Sequence, residues 1–194
     1  MTIRMILSLD RANAIGYSDG RLAYRLPADL KRFKTLTTNG TVVMGINTFI
    51  SLNRIDGLPN RRNIVLSHRP YSEIRTQVGL GIEIISSLDW IVKHDEAAHR
   101  TVANTDREPA CPWIIGGATV FDDALAKGIV DEIYLTLVHS TCDADVRLTT
   151  DLAAWKLFIL SEAKLGRLWD AIVDEPIWDG EHQTTYITLR KAKS

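Results

Sequence analysis

Ile114-Ile115-Gly116-Gly117-Ala118-Thr119-Val120-Phe121 is the stretch that decides the fold class. Trp113 to Ile115 read as a buried strand, the two glycines interrupt it, and residues 119–126 take up helical spacing. Strands alternating with helices in this way build an α/β layer. A glycine pair lets the backbone approach a ligand closely, and N–H groups at a helix start attract phosphate. Alone the signal is weak, because Gly-Gly after a strand is as often a plain turn. It is not the GxGxxG fingerprint, and the acid that fingerprint expects downstream is not in place. Val42-Val43-Met44-Gly45-Ile46-Asn47-Thr48 repeats the logic: strand, glycine, then a short helix with Asn47 or Thr48 near its start. Two such junctions can hold the two ends of a pyrophosphate-linked cofactor.

Outward from these junctions, apolar β-rich runs lie at 3–9, 41–44, 63–66, 82–85, 113–115, 132–138, 156–160 and 184–189. Several early runs are continuous, as expected for strands covered on both faces. Helix patterns fall at 27–37, 47–52, 87–99 and 119–126. Pro27 suits a first helical position, and Ser87 with Asp89 marks another start. The order predicts an α/β fold with a mostly parallel sheet and a final antiparallel portion. Residues 100–112 are polar, carry two prolines and read as a surface loop. Residues 166–183 also read as a loop, although Trp169, Ile172, Val173, Ile177 and Trp178 make it too apolar for a free linker. No internal repeat or low-complexity segment appears.

The 194 residues are 45% hydrophobic, which suits one domain spanning 1–194. A formal net charge of -1 argues against a nucleic-acid partner. Lys31, Arg32 and Lys34 read as a solvated helix face. No apolar run is long enough to span a bilayer, so no membrane partner is expected. Met1-Thr2-Ile3-Arg4 runs straight into a strand without the pattern of a signal peptide. Cys111 and Cys142 form no CxxC and fit a reducing cytoplasm. His68, His94, His99, His139 and His182 have no ligand spacing with Cys, Asp or Glu, so no metal is expected.

Chemistry first shows at Leu26-Pro27-Ala28-Asp29-Leu30. With Leu26 at zero and ~100° per residue, Leu30 falls near 40°, Phe33 near -20°, Leu36 near -80° and Asp29 near -60°. Asp29 therefore lies inside the apolar stripe. It can be simply a first-turn acid favoured by the helix dipole. A buried carboxylate must otherwise find partners or see its pKa rise. In a cleft its two oxygens would match a planar ligand with adjacent N–H donors.

Taken in order, these segments resemble dihydrofolate reductase. The matching elements are the strand leading to Ala14-Ile15-Gly16, the segment Leu26 to Leu30 with Phe33-Lys34, and Val43-Met44-Gly45 with Thr48. Leu58-Pro59-Asn60-Arg61-Arg62-Asn63-Ile64-Val65-Leu66-Ser67, Ile115-Gly116-Gly117, Tyr134-Leu135-Thr136 and Tyr186-Ile187-Thr188-Leu189 follow. The resemblance implies an eight-stranded, mostly parallel sheet with flanking helices and an antiparallel C-terminal strand. It also implies NADPH-dependent reduction of 7,8-dihydrofolate to tetrahydrofolate, with hydride to C6 and a proton to N5. Asp29 would bind the pterin's 2-amino and N3 side, and Thr136 would bond that carboxylate. Ile6, Leu30, Phe33 and Ile115 would wall the pterin and benzoyl groups. Arg61 would clamp the α-carboxylate of the glutamate tail, a task suited to a guanidinium fork, while Arg62 is a solvated charge. Ser8, Ile15, Gly16, Gly45, Thr48, Ser67, Gly116 and Gly117 fall at cofactor positions, with Ala118 beside them. Leu22 belongs to the loop covering the nicotinamide, and Asp145 would latch it.

The chain departs from the family at several of these positions. Tyr24 stands where a tryptophan is usual and keeps a ring and a donor. Ile46 and Thr119 stand where arginines are usual, removing positive charge from the side that meets the 2′-phosphate. Phe121 replaces a tyrosine near the nicotinamide. Ser67-His68-Arg69 offers replacement donors, so NADPH is expected over NADH. Two other readings are a related pteridine or pyrimidine reductase, against which Arg61 argues, and a non-catalytic cofactor-binding or structural homologue. A monomer is expected, with a dimer left open.

Overall fold

The computed structural model describes residues 2–93, 111–152 and 169–192. The strands are β1 (Arg4–Asp10), β2 (Ala14–Gly16), β3 (Thr41–Gly45), β4 (Arg62–Leu66), β5 (Ile82–Ile85), β6 (Pro112–Gly116), β7 (Glu132–Val138), β8 (Val146–Arg147), β9 (Trp169–Val173), β10 (Ile177–Asp179) and β11 (His182–Lys191). The helices are α1 (Pro27–Thr37), α2 (Ile46–Ser51), α3 (Tyr71–Ile74), α4, described over 89–93, and α5 (Ala118–Ala126).

The main sheet runs β10-β11-β7-β1-β6-β3-β4-β5, with β9 also paired to β11. β10 pairs with Thr184 and residues before it, and β9 with Ile187 and residues after it, so both occupy one edge of β11. The sheet is therefore eight strands wide. From β7 to β5 every pairing is parallel; β11 is antiparallel to its neighbours. The order reverses around β1 and β6, and the carboxyl ends of such parallel strands are where open α/β sheets bind ligands.

The period of two along each strand sorts the core into two layers. Met5, Leu7, Leu9, Val43, Ile114, Ile133 and Leu135 face α5 and the start of α4, with Val120, Phe121, Leu88 and Ile91 packed on them. Ile6, Val42, Met44, Val65 and Trp113 face the other way, against Phe33 and Leu36 of α1 and Ile46 and Phe49 of α2. Each fully buried aliphatic or aromatic side chain contributes ~1.5–3 kcal/mol. The second layer carries the candidate site.

The structure corrects several expected elements. Residues 169–173 and 177–179, expected as part of a surface loop, are β9 and β10, because their apolar residues find the unpaired edge of β11. β11 is longer than 184–189 for the same reason. α2 and α5 each begin one residue earlier than the spacing predicts, directly after Gly45 and Gly117, and Asn47 and Thr48 fall in the first turn of α2. β2, β8 and α3 are too short to give a periodic signal. The expected strand at 156–160, the end of the expected 87–99 helix from residue 94, and residues 100–110 of the expected 100–112 loop lie outside the described residues, while Pro112 begins β6 rather than ending that loop.

Candidate active site

α1 starts at Pro27, whose fixed φ and missing N–H suit a first turn. It ends where Thr37 and Thr38 turn their hydroxyls back to the carbonyls of Phe33 and Lys34. This places Asp29 over β7, where the Thr136 hydroxyl donates to Asp29 Oδ1 at 2.6 Å. Thr136 is fully buried and Asp29 half-buried. Thr136 lies in register between Ser8 of β1 and Tyr186 of β11, which sets the carboxylate against the sheet centre. Burial raises the Asp29 pKa; the Thr136 bond and the Arg32 cation oppose the rise, and Asp179 adds to it.

Ile6, Phe33 and Ile115 belong to the second core layer, on the sheet face that carries Thr136. Leu30 is exposed at 48%, one helical position on from Asp29. Arg61 reaches the end of α1: its Nε donates to Thr37 Oγ1 at 2.9 Å and Nη1 to the Pro59 carbonyl at 3.0 Å. Its guanidinium stands 5.6 Å from the Phe33 ring centroid, and burial lowers its pKa. Arg62 pairs with Glu83 on the far side, in a surface ion pair.

The two glycine junctions come together because β3 and β6 are neighbours. A β-carbon on Gly117 would lie 3.1 Å from Thr48 Oγ1, and one on Gly45 would lie 3.1 Å from Val120 Cγ2. Gly116 has φ +125°, a conformation that side chains rarely adopt. Ala118 and Thr119 open α5, whose start has no side-chain cap. Phe121 is fully buried under Gly116, with ring atoms 3.5 Å from where a β-carbon would stand. Ser67 is buried at the end of β4 and its hydroxyl accepts from the Arg69 N–H, while His68 and Arg69 are exposed. Ile46 packs into the second core layer.

The loop expected to cover the nicotinamide is tied at several points. Ile15 and Gly16 belong to β2, which pairs with β8, and Gly16 bridges to Leu22, itself 59% exposed. Asp145 accepts the Ser18 N–H at 2.9 Å, and Asp143 accepts the Tyr17 hydroxyl at 2.7 Å. The Tyr24 hydroxyl donates to Asp10 Oδ2 at 3.0 Å, and its ring meets His182 edge-on.

Two residues here carry no signal in the sequence analysis, and a third departs from its expected place. Asp10 is fully buried and gathers N–H groups from Ala12, Ala14 and Cys142. Asp179 is fully buried and accepts the Ala28 and Asp29 N–H groups, each at 2.8 Å. The dipeptide Asp179-Gly180 is a hairpin signal that announces β10 and β11. Arg32, expected on a solvated face, instead lies 4.4 Å from the Tyr186 ring centroid with its Nη1 buried. No helix among the described residues is long and apolar enough to cross a membrane.

The family model described as dihydrofolate reductase matches residues 2–165. Dihydrofolate reductase type 3 of Salmonella typhimurium is 37% identical over 145 residues, covering 75% of this chain and 76% of that protein. The Bacillus subtilis (strain 168) dihydrofolate reductase is 32% identical over 156 residues, 80% of each chain. Among solved structures, the Enterococcus faecalis enzyme complexed with NADP(H) and RAB-propyl superposes with a TM-score of 0.73 at 24% identity, covering 99% of this chain and 97% of that one. The α/β sheet thus has its counterpart in a solved structure, and the family match over residues 2–165 with relatives at 32–37% identity shows that the chain belongs to the dihydrofolate reductase family.

Proposed function

We infer that the chain, as one catalytic domain spanning 1–194, uses NADPH to reduce 7,8-dihydrofolate to 5,6,7,8-tetrahydrofolate. The observation that carries this reading is the Asp29–Thr136 pair, held on the same sheet face as Ile6, Phe33 and Ile115. Thr136 engages Oδ1, and among the described residues no hydrogen-bond donor meets Oδ2. The carboxylate can then accept two parallel bonds from the 2-amino and N3 edge of a pterin. Its raised pKa favours a proton shared with the ring system, and water can carry that proton to N5. Arg61, held at the end of α1 by Thr37, Thr38, Lys34 and Pro59, brings its positive charge beside Phe33 toward the glutamate tail.

The residues also fit a pyrophosphate-linked nicotinamide cofactor. Gly45 and Gly117 leave a cradle that β-carbons would narrow, and the α5 start presents N–H groups without a side-chain cap. NADPH supplies the hydride delivered to pterin C6; with one proton taken up, the products are tetrahydrofolate and NADP⁺. Leu22 and Tyr24 exclude water from that step, with the loop held by Asp145 and Asp10. Ile46 leaves no charge for a 2′-phosphate, so His68 and Arg69, exposed beyond Ser67, carry the choice of NADPH over NADH. The free thiols of Cys111 and Cys142 fit a reducing cytoplasm.

The test is dihydrofolate-dependent cofactor oxidation with NADPH and NADH in parallel. Turnover with a higher kcat/KM for NADPH is expected. Binding of NADPH without turnover of dihydrofolate would contradict the reading.

A further inference from the structure

We propose that Asp179 is a positioning residue for Asp29: through the first turn of α1 it fixes the backbone of Asp29, and it sets a second negative charge beside that side chain. The proposal rests on Asp29 being the pterin-binding carboxylate. Leu26, the residue before α1, supplies no side-chain cap, and Pro27 has no N–H to offer. The next two N–H groups, of Ala28 and Asp29, would stay unpaired in an ordinary first turn. Asp179 takes both, one on each oxygen, from a position 150 residues away in the chain. A cap normally comes from the residue just before the helix and satisfies fewer donors. Gly180, with φ +62°, turns the hairpin over the entry of α1, within 3.4 Å of the Arg25 carbonyl for a built β-carbon. The family match ends at residue 165, so this hairpin lies beyond it.

The charges around Asp29 oppose one another. Asp179 from β10 disfavours a negative Asp29, and Arg32 from α1 favours it. Arg32 is fixed in place over Tyr186 of β11, with Tyr134 of β7 5.7 Å away. Burial, together with the charges of Asp29 and Asp179, raises the pKa of Tyr186. His182 pairs opposite Asp179 in the hairpin ladder, and Lys31 and Lys34 are exposed. Removing the Asp179 charge relieves a repulsion and also leaves the helix dipole unopposed. Both changes favour ionised Asp29.

The experiment is a ¹³C-carboxyl NMR titration of the ligand-free protein, with the Asp29 resonance assigned by its loss in Asp29→Asn. In Asp179→Asn and Asp179→Ser the Asp29 midpoint is expected at lower pH than in the wild type. The alkaline limb of dihydrofolate reduction should move in the same direction. Arg32→Gln is expected to move the midpoint to higher pH. A folded Asp179 variant with an unmoved Asp29 midpoint overturns the proposal. Amide exchange in the wild type needs no variant: the Ala28 and Asp29 N–H groups should exchange at least ~10-fold slower than in an unstructured chain. Unprotected exchange there overturns it as well. Neither readout depends on turnover, so a failure of the functional reading shows separately, as full activity in Asp29→Asn.

Discussion

The two halves of the proposed site are built from different materials. On the side proposed for the pterin, side chains act: Asp29, Thr136, Arg32 and Asp179 form a charged, hydrogen-bonded group between α1 and the sheet. On the side proposed for the cofactor the backbone acts: Gly45, Gly116 and Gly117 keep space clear, and the start of α5 lacks a side-chain cap. The difference sets what each side tolerates. A substitution on the first side should alter chemistry with little effect on folding, whereas one on the second should disturb the fold along with binding.

The sharpest separation is expected from Asp29→Asn. It should lower kcat/KM for dihydrofolate by roughly 10²–10⁴-fold, the range for losing an acid–base group, as measured by steady-state oxidation of NADPH. On the opposite side, Gly116→Ala forces a side chain into φ +125° against Phe121. It should cost about 1–3 kcal/mol in denaturant unfolding and weaken NADPH binding with it. Arg61→Ala should raise KM for dihydrofolate ~10- to 100-fold with a much smaller change in kcat, because charged hydrogen bonds to a tail carboxylate contribute about 1.5–3 kcal/mol. A small effect is expected from Arg69→Ala: the NADPH-over-NADH ratio should fall by roughly 2- to 5-fold, as for an exposed ion pair.

Stability against pH sharpens the same contrast. Burial raises the Asp29 pKa, so between its unfolded and folded values the native state binds more protons than the unfolded chain. Stability from this group is therefore full below the unfolded pKa and is lost as pH rises through the folded one. Asp29→Asn should thus raise Tm at neutral pH by roughly 1–3 °C while abolishing most activity. An unchanged or lower Tm would mean that the carboxylate is better solvated than its surroundings indicate.

The sequence made some of this legible and hid the rest for physical reasons. α1 was readable to its ends, because Pro27 marks its start and the 3.6 period places Asp29 inside the apolar stripe. The glycine junctions were visible as strand–glycine–helix, but their meeting depends on β3 lying beside β6, which no local pattern encodes. Arg32 looked like a solvated charge because its aromatic partners come from β7 and β11. Asp179 sat in a stretch read as loop, since β10 spans only Ile177–Asp179 and needs the edge of β11 to form. Asp10 closes an apolar strand, and its four donors come from the following turn, the covering loop and residue 142. Local periodicity thus found the elements and the lone carboxylate, while the partners that tune that carboxylate are long-range.

The most direct test of Asp29 as the pterin anchor is the single-turnover rate of dihydrofolate reduction, measured against pH with NADPH saturating. Wild type should be fast at acidic and neutral pH and slow down at alkaline pH, and Asp29→Asn should be slow throughout with that dependence flattened. An Asp29→Asn protein that reduces dihydrofolate at the wild-type rate with the wild-type pH profile would contradict the account.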